Sequence, residues 1–345
     1  MRNIYDLNYD ELEAQMLALG EKKFRAKQIW EGLYGHLHTN WNQFTSLSKE
    51  MREEMCSLFS IGSITEIDCS QTDDGNTRKS LFRLSDQNLI ESVLLRKFNR
   101  ITLCISSQSG CPMGCAFCAT GQIGFFRNLS VGEITEQAIF FSRLLAEEDK
   151  KLTNIVFMGM GEPFLNYDNV LSAVSILNHK NGLNIGARRI TISTIGILDK
   201  IRAFADEETQ VNLSISLHAP SDKLRRQLIP LAKKYTIKDL IETCIYYFDK
   251  TGRRLTFEYV MIKDTNDQPQ HANQLASLLS GLNSHINLIP LNPTDFYPHV
   301  APPHTVMKEF GRILLTRGLT LSFRDSQGEE ISAACGQLAG RIQKT

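Results

Sequence analysis

The sequence predicts an α/β protein built on a parallel sheet wrapped by helices, with a small helical N-terminal module and a short antiparallel β extension. Three observations carry this reading. From residue 101 onward, six strand-like runs alternate with six helical ones, the order that crossover helices over a parallel sheet require. Residues 61–100 hold three short strand-like runs separated by turn-rich segments, and residues 1–60 show helical periodicity alone.

In chain order, Tyr9 to Leu19 and Phe24 to Leu33 each place apolar residues on one face, Ser46 to Phe59 gives a third helix, and Gly20 and Gly35 punctuate the ends. So few helices cannot bury a large core, so residues 1–60 read as a satellite or a substrate-contacting module. Its seven basic against nine acidic residues weaken any grip on RNA by charge alone. Residues 61–100 form the β extension: Ile61 to Cys69, Arg78 to Leu84 and Leu89 to Leu95, divided by Asp73-Asp74-Gly75-Asn76 and Ser85-Asp86-Gln87-Asn88.

The main body spans residues 101–325. Its strands are Ile101 to Ser106, Thr153 to Met158, Arg189 to Thr194, Val211 to Leu217, Leu255 to Ile262 and Ile286 to Pro290. Its helices are Val131 to Ala146, Asp168 to Asn178, Ile197 to Ala205, Ile237 to Phe248, Pro269 to Leu279 and Thr305 to Arg317. Ser130-x-x-Glu133 fits a capping box at the first of these. Spacing alone admits either an open sheet or a barrel. Residues 326–345 form a C-terminal segment.

At 345 residues, 42% hydrophobic and 22% charged, the chain has the balance of a soluble globular protein of one large domain and a smaller one. No apolar run approaches the roughly 20 residues of a membrane helix, and Met1 to Asp10 lacks the regions of a secretory signal. Eight cysteines in clustered spacing point to metal or redox chemistry in a reducing compartment, so the expected location is the cytoplasm. Net charge is zero and says nothing about nucleic acid. Residues 180–254 nevertheless hold 14 Lys plus Arg against 8 Asp plus Glu, concentrated in Arg188-Arg189, Lys223 with Arg225-Arg226, Lys233-Lys234 and Arg253-Arg254. A solvated surface is the plain reading; if several line one groove, they neutralise phosphates.

The chemistry centres on Cys111-Pro112-Met113-Gly114-Cys115-Ala116-Phe117-Cys118, just after a strand. Three thiolates hold three corners of a 4Fe-4S cluster and leave one iron without a protein ligand. A structural zinc or a structural cluster is normally closed by a fourth ligand, and neither Cys nor His lies between Ala119 and Leu152. A zinc knuckle is the alternative. C-x-x-x-C-x-x-C with an aromatic before its last Cys resembles the signature of radical S-adenosylmethionine (SAM) enzymes. That resemblance implies SAM chelated at the open iron and a partial (β/α)6 barrel.

Sites in parallel α/β proteins lie at the C-terminal ends of strands. Met158-Gly159-Met160-Gly161-Glu162-Pro163 follows one such strand; its glycines let a ligand approach the backbone, and Glu162 can accept from an ammonium. Ser193, Ser216-Leu217-His218 and Asn292 follow others, although Ser and Asn at strand ends are commonly turn formers. Cys335, between alanine and glycine, reads either as a small buried apolar residue or as an accessible thiol on a tight turn.

Taken together, Thr102 to Gln108, Cys118-Ala119-Thr120-Gly121, Met158 to Pro163, Ser216 to His218, Ala333 to Gly340 and Phe24 to Ile29 resemble the RlmN/Cfr family of radical SAM RNA methyltransferases over nearly the whole chain. The resemblance implies that Cys111, Cys115 and Cys118 ligate the cluster and that Gly161, Glu162, Ser193, Ser216, Leu217, His218 and Asn292 contact SAM. It further implies that Cys335 carries a methyl group as S-methylcysteine, that Cys104 is the second catalytic thiol and that Glu91 accepts the proton; Glu91 alone would read as an exposed strand carboxylate. One SAM methylates Cys335, a second yields a radical that activates that methyl group for addition to adenine, and attack by Cys104 releases the base with a transient Cys104–Cys335 disulfide. Glu330 stands where the family more usually has an Asp-Ile pair.

The implied substrates are the peptidyl-transferase-centre adenosine of 23S ribosomal RNA and the adenosine 3′ to the anticodon of some transfer RNAs, methylated at C2 by a monomer fed electrons by flavodoxin or ferredoxin. C8 methylation of the same ribosomal adenosine is the alternative, although Phe24 to Ile29 and Asn287 to Pro293 look more like the C2 branch. A non-enzymatic zinc or RNA-binding module and a radical SAM enzyme acting on protein are the further alternatives. Cys56, Cys69 and Cys244 carry no signal of a role and read as packing residues.

Overall fold

The computed structural model describes residues 1–324 and 326–340. Asp325 and residues 341–345, and with them the expected boundary at 325 and the last part of the C-terminal segment, lie outside the described residues. Ten strands in simple sequential order form one sheet. They are β1 (Thr65–Gln71), β2 (Thr77–Arg83), β3 (Leu89–Lys97), β4 (Arg100–Cys104), β5 (Asn154–Phe157), β6 (Ile190–Thr194), β7 (Asn212–Ser216), β8 (Leu255–Met261), β9 (Ser284–Pro290) and β10 (Thr320–Phe323). The first four pair antiparallel; β4 to β10 run parallel. The β extension is therefore continuous with the main sheet, because β3 uses its second edge to pair with β4. Strand β10 escaped the sequence reading: Thr-Leu-Ser-Phe is short and has little periodicity of its own.

Crossovers are made by α4 (Val131–Ala146), α5 (Tyr167–Asn178), α6 (Leu198–Asp206), α7 (Asp222–Leu228) with α8 (Ile237–Thr251), α9 (Pro269–Leu278) and α10 (His304–Thr316); α1 (Tyr9–Ala18), α2 (Phe24–Trp30) and α3 (Lys49–Leu58) precede them. The capping box at Ser130 forms on both sides: Glu133 N–H donates to Ser130 Oγ, and Ser130 N–H donates to Glu133 Oε2. Helix α7, only seven residues long, lies where the sequence showed no helical period.

Strand periodicity divides the sheet into two chemically different faces. Leu103, Ile155, Phe157, Ile190, Ile192, Leu213, Ile215, Phe257, Ile286 and Leu288 pack under the helices as the main apolar core. Their alternates Thr102, Asn154, Thr191, Asn212, Ser214, Thr256, Glu258 and Asn287 line the opposite side, a cavity of about 1300 Å³. The curled sheet thus has a polar lumen rather than a packed interior.

The N-terminal helices own a separate core around Tyr5, Trp30, Tyr34, Trp41 and Met55, which also takes in Ile139 of α4 and Ile176 of α5. It is seated on the outside of the barrel. Arg143 of α4 donates to Tyr5 Oη and to the carbonyls of Leu37 and His38, and the buried Glu136 carboxylate accepts from Asn3, Ser63 and Ile64.

Candidate active site

The cysteine loop leaves the top of β4 and is pinched shut by a short antiparallel ladder between Gln108–Gly110 and Phe125–Asn128. Gly110 has φ +72°, and a Cβ there would lie 2.0 Å from the Gly124 carbonyl, so only glycine closes this neck. The Cys111 N–H donates to that carbonyl at 2.8 Å, and Ala116 N–H donates to Leu228 of α7 at 2.9 Å.

Burial pushes the Cys111 thiol up to about 12, and burial with the fields of Cys118 and Cys111 holds Cys115 well above the ordinary thiol value. Three thiols in one loop, all raised above the ordinary thiol value by burial, stay protonated until a cationic cluster binds and displaces their protons. This donor set fits a 4Fe-4S cluster. Among the described residues, no three His, Cys, Asp or Glu side chains gather round a single point as a lone ion needs; a cube takes its thiolates at separate corners.

Arg225, which the sequence placed in a surface basic cluster, is instead 1% exposed. Its Nη2 donates to Ile195 O at 2.5 Å and its Nε to Leu217 O at 3.2 Å, tying the ends of β6 and β7 together. Burial lowers it to about 10, and its charge partly offsets the rise that burial imposes on the Cys115 thiol. No sequence signal marked it, because α7 itself was not legible.

The residues expected to meet SAM converge on the tops of β5 to β9. Glu162 is 2% exposed; its Oε1 accepts from Phe164 N–H and its Oε2 from Ile195 N–H, while burial raises its pKa to about 7. A Cβ on Gly161 would meet Gln108 at 2.6 Å, so this glycine also serves the packing of one loop on another. Ser193 Oγ and Ser216 Oγ lie 3.4 Å apart. The backbone N–H and carbonyl of Leu217 are taken by Glu258 O and Arg225. His218 has φ 57°, accepts from Val260 N–H through Nδ1 at 3.0 Å, and is held down at about 3 by burial and by Arg225. It is a neutral imidazole with its proton on Nε2.

The C-terminal segment is strapped over this mouth. Asn292 Nδ2 donates to the Cys335 carbonyl at 2.9 Å, and Ser326 Oγ donates to Asn292 Oδ1. Thr120 Oγ1 donates to Leu338 O at 2.6 Å. Cys104, Cys118 and Cys335 line the same cavity, together with Met158 and Arg324. Arg324 lowers the Cys104 thiol, but burial, the largest influence, carries that thiol to about 12. Both thiols are free in this structure. Glu91 is buried, not the exposed carboxylate its strand suggested: it pairs with Lys79 at 3.0 Å, and its Oε2 accepts from Ala339 and Gly340 N–H. It anchors the strap from outside the cavity lining.

These features define a radical SAM protein, and the radical SAM superfamily model matches residues 105–276. The ribosomal RNA large subunit methyltransferase N-terminal domain model matches residues 2–61. The chain is 45% identical to a "Probable dual-specificity RNA methyltransferase RlmN" of Geobacillus thermodenitrificans, covering 99% of this chain and 94% of the relative. It is 44% identical to a "Ribosomal RNA large subunit methyltransferase N" of Nitrosopumilus maritimus, covering 98% of each. A crystallised radical SAM methyltransferase from Sphaerobacter thermophilus superposes with a TM-score of 0.96 at 45% identity, covering 99% of this chain and all of that one. The chain belongs to the RlmN family of radical SAM RNA methyltransferases, which closes the zinc-knuckle alternative. The family implies a 4Fe-4S cluster and SAM. No described helix is long and apolar enough to cross a membrane.

Proposed function

We propose that the protein methylates C2 of adenosine in 23S ribosomal RNA, and in some transfer RNAs, through a methyl group carried on Cys335. The observation that carries this is the placement of Cys335 and Cys104 in one cavity with Cys118 of the cluster loop. The adenine C2 carbon is electron-poor, so direct nucleophilic displacement on SAM is disfavoured. A thiolate is not so limited. Cys111, Cys115 and Cys118 would hold the cluster, which would supply the electron for reductive cleavage of SAM, drawn in turn from a flavodoxin or ferredoxin.

The chain's own residues do the rest. Glu162, Ser193, Ser216, His218 and Asn292 offer SAM fixed polar groups around Gly161 and Leu217. Cys335 thiolate takes the methyl of a first SAM, forming C–S as the sulfonium C–S bond breaks. After the SAM-derived carbon radical takes a hydrogen atom from that methyl, its carbon would join the adenine, and return of one electron to the oxidised cluster with loss of the ring proton would leave Cys335 bonded to RNA as a closed-shell thioether. Glu91 accepts the ring proton, a role that requires the Ala339 and Gly340 amides to release Oε2. Cys104 thiolate then attacks the Cys335 sulfur; an S–S bond forms as the carbon–sulfur bond breaks, the freed carbon takes a proton to become the methyl group, and an external thiol reductant returns the disulfide to two thiols. Arg100, Arg188, Arg253 and Arg254 at the lumen's other end suit phosphates, each contact adding roughly −0.7 to the log-log salt slope for single strands.

Two measurements test this. Mass spectrometry of RNA treated with reconstituted protein should find 2-methyladenosine; 8-methyladenosine would move the protein to the alternative chemistry. Cys104→Ala should accumulate a protein–RNA crosslink that Cys335→Ala cannot form. Normal turnover by Cys104→Ala would refute the assignment.

A further inference from the structure

One buried acceptor has no part in the chemistry above. Glu258 projects from β8 into the lumen and is 4% exposed. Its Oε1 accepts from Ser214 Oγ of β7 at 2.8 Å and from Asn287 Nδ2 of β9 at 3.0 Å. The orientation of Asn287 is fixed in turn, because Ser322 Oγ of β10 donates to its Oδ1 at 2.6 Å. Four neighbouring strands thus hold the carboxylate in one pose. Its Oε2 is buried and has no hydrogen-bond partner among the described residues. An unmet buried acceptor is costly and rare in native proteins, and this one borders the cavity that Cys104 and Cys335 share.

We propose that Glu258 Oε2 accepts a hydrogen bond from the exocyclic amine of the target adenine, and so selects adenine in the lumen. The inference rests on the adenine reading above. A glycosylated adenine has one donor group, that amine; its ring nitrogens only accept. Guanine has a carbonyl at the same ring position, which would place acceptor against acceptor. The cavity, about 1300 Å³, exceeds the roughly 300 to 1,000 Å³ of ordinary small-molecule sites, so it has room for a base. SAM carries an adenine amine of its own, and the test separates the two.

The experiment uses the full chain, reconstituted without oxygen and saturated with SAM. It measures equilibrium binding of an RNA hairpin bearing either adenosine or purine riboside, which lacks the amine, at the target position. Wild type should prefer adenosine by about tenfold, the scale of one hydrogen bond to a charged group. Glu258→Gln should bind both hairpins within about twofold of each other. Its amide oxygen is held toward Asn287 and Ser214, so its NH₂ would face the base amine, donor against donor.

Equal binding of both hairpins by wild type overturns the proposal and needs no variant. A preference that persists in Glu258→Gln also overturns it, as does a Glu258→Gln protein that loses SAM affinity while keeping its RNA preference; the last result assigns the carboxylate to SAM. Failure of the methylation reading is distinct: wild type would then leave the adenosine hairpin unmethylated, whatever its preference.

Discussion

The Ala119 N–H donates to the Gly336 carbonyl at 2.7 Å, so the residue after Cys118 is hydrogen-bonded to the residue after Cys335. Gly336 sits at φ +85°, where an added Cβ would approach the Phe117 carbonyl at 3.3 Å. The cluster loop and the segment carrying Cys335 are therefore one structural unit. Order in one is order in the other.

That linkage can be loosened at Thr120, whose hydroxyl also lies within hydrogen-bond reach of the Cys118 thiol. Thr120→Val keeps the shape of a buried side chain but removes the donor to Leu338 O, leaving a buried carbonyl unmet at about 1–3 kcal/mol. Amide exchange should quicken across residues 334–340 and in the cluster loop together. Faster exchange in the tail alone, or none, would show that the two segments are independent.

A second anchor is electrostatic. Lys79 and Glu91 are 7% and 2% exposed, and Glu91 also receives the two tail amides. Glu91→Gln leaves an uncompensated buried ammonium, a loss of about 3–5 kcal/mol. Adding Lys79→Met should restore much of that stability, since the glutamine oxygen still accepts from Ala339 and Gly340. Denaturant unfolding of the single and double variants checks this. If the double variant is stable yet methylates no RNA, Glu91 acts in proton transfer as well as anchoring.

The sequence made the strand–helix alternation legible because Ile155, Phe157, Ile190 and Ile192 must be apolar to pack under helices. The cysteine spacing was equally plain, since a cluster needs its ligands at fixed separations along one loop. Three things were hidden. Short β10 and α7 take their conformation from neighbours rather than from their own periodicity. Arg225 was read as surface because a buried guanidinium is exceptional, and the converging carbonyls of Ile195, Ser216 and Leu217 make its burial possible. Glu258 passed unremarked because its significance lies in an unused oxygen, which appears only in three dimensions.

Cluster loading should depend on pH. Burial raises Cys111, Cys115 and Cys118 above the ordinary thiol value, so each must surrender a proton when iron binds. The cluster should therefore be gained as pH rises and stripped by chelator as it falls, by up to about tenfold per pH unit for each proton released. Iron content after anoxic competition with a chelator at pH 6.5, 7.5 and 8.5 reads this directly. A flat profile would mean that the thiols are already ionised in the folded chain.

His218 allows a test of sign on the cluster-free protein. Its folded value, about 3, is below the ordinary 6.5 because of burial and Arg225. Between these values the unfolded chain binds a proton that the folded chain refuses, so stability is whole above pH 6.5 and is lost as pH falls toward 3. Glu162 works oppositely: burial raises it from 4.5 to about 7, so its contribution is whole below pH 4.5 and is lost as pH rises to 7. Each slope is bounded by about 1.4 kcal/mol per pH unit, and the two oppose one another between 4.5 and 6.5. His218→Asn removes the first alone, since asparagine tolerates φ 57° and offers an oxygen to the Val260 N–H that Nδ1 now receives. Wild-type Tm should change little across that window, whereas the variant's Tm should fall as pH rises through it. Parallel curves for the two proteins would mean that His218 titrates normally in the fold and that the buried, neutral imidazole is wrong.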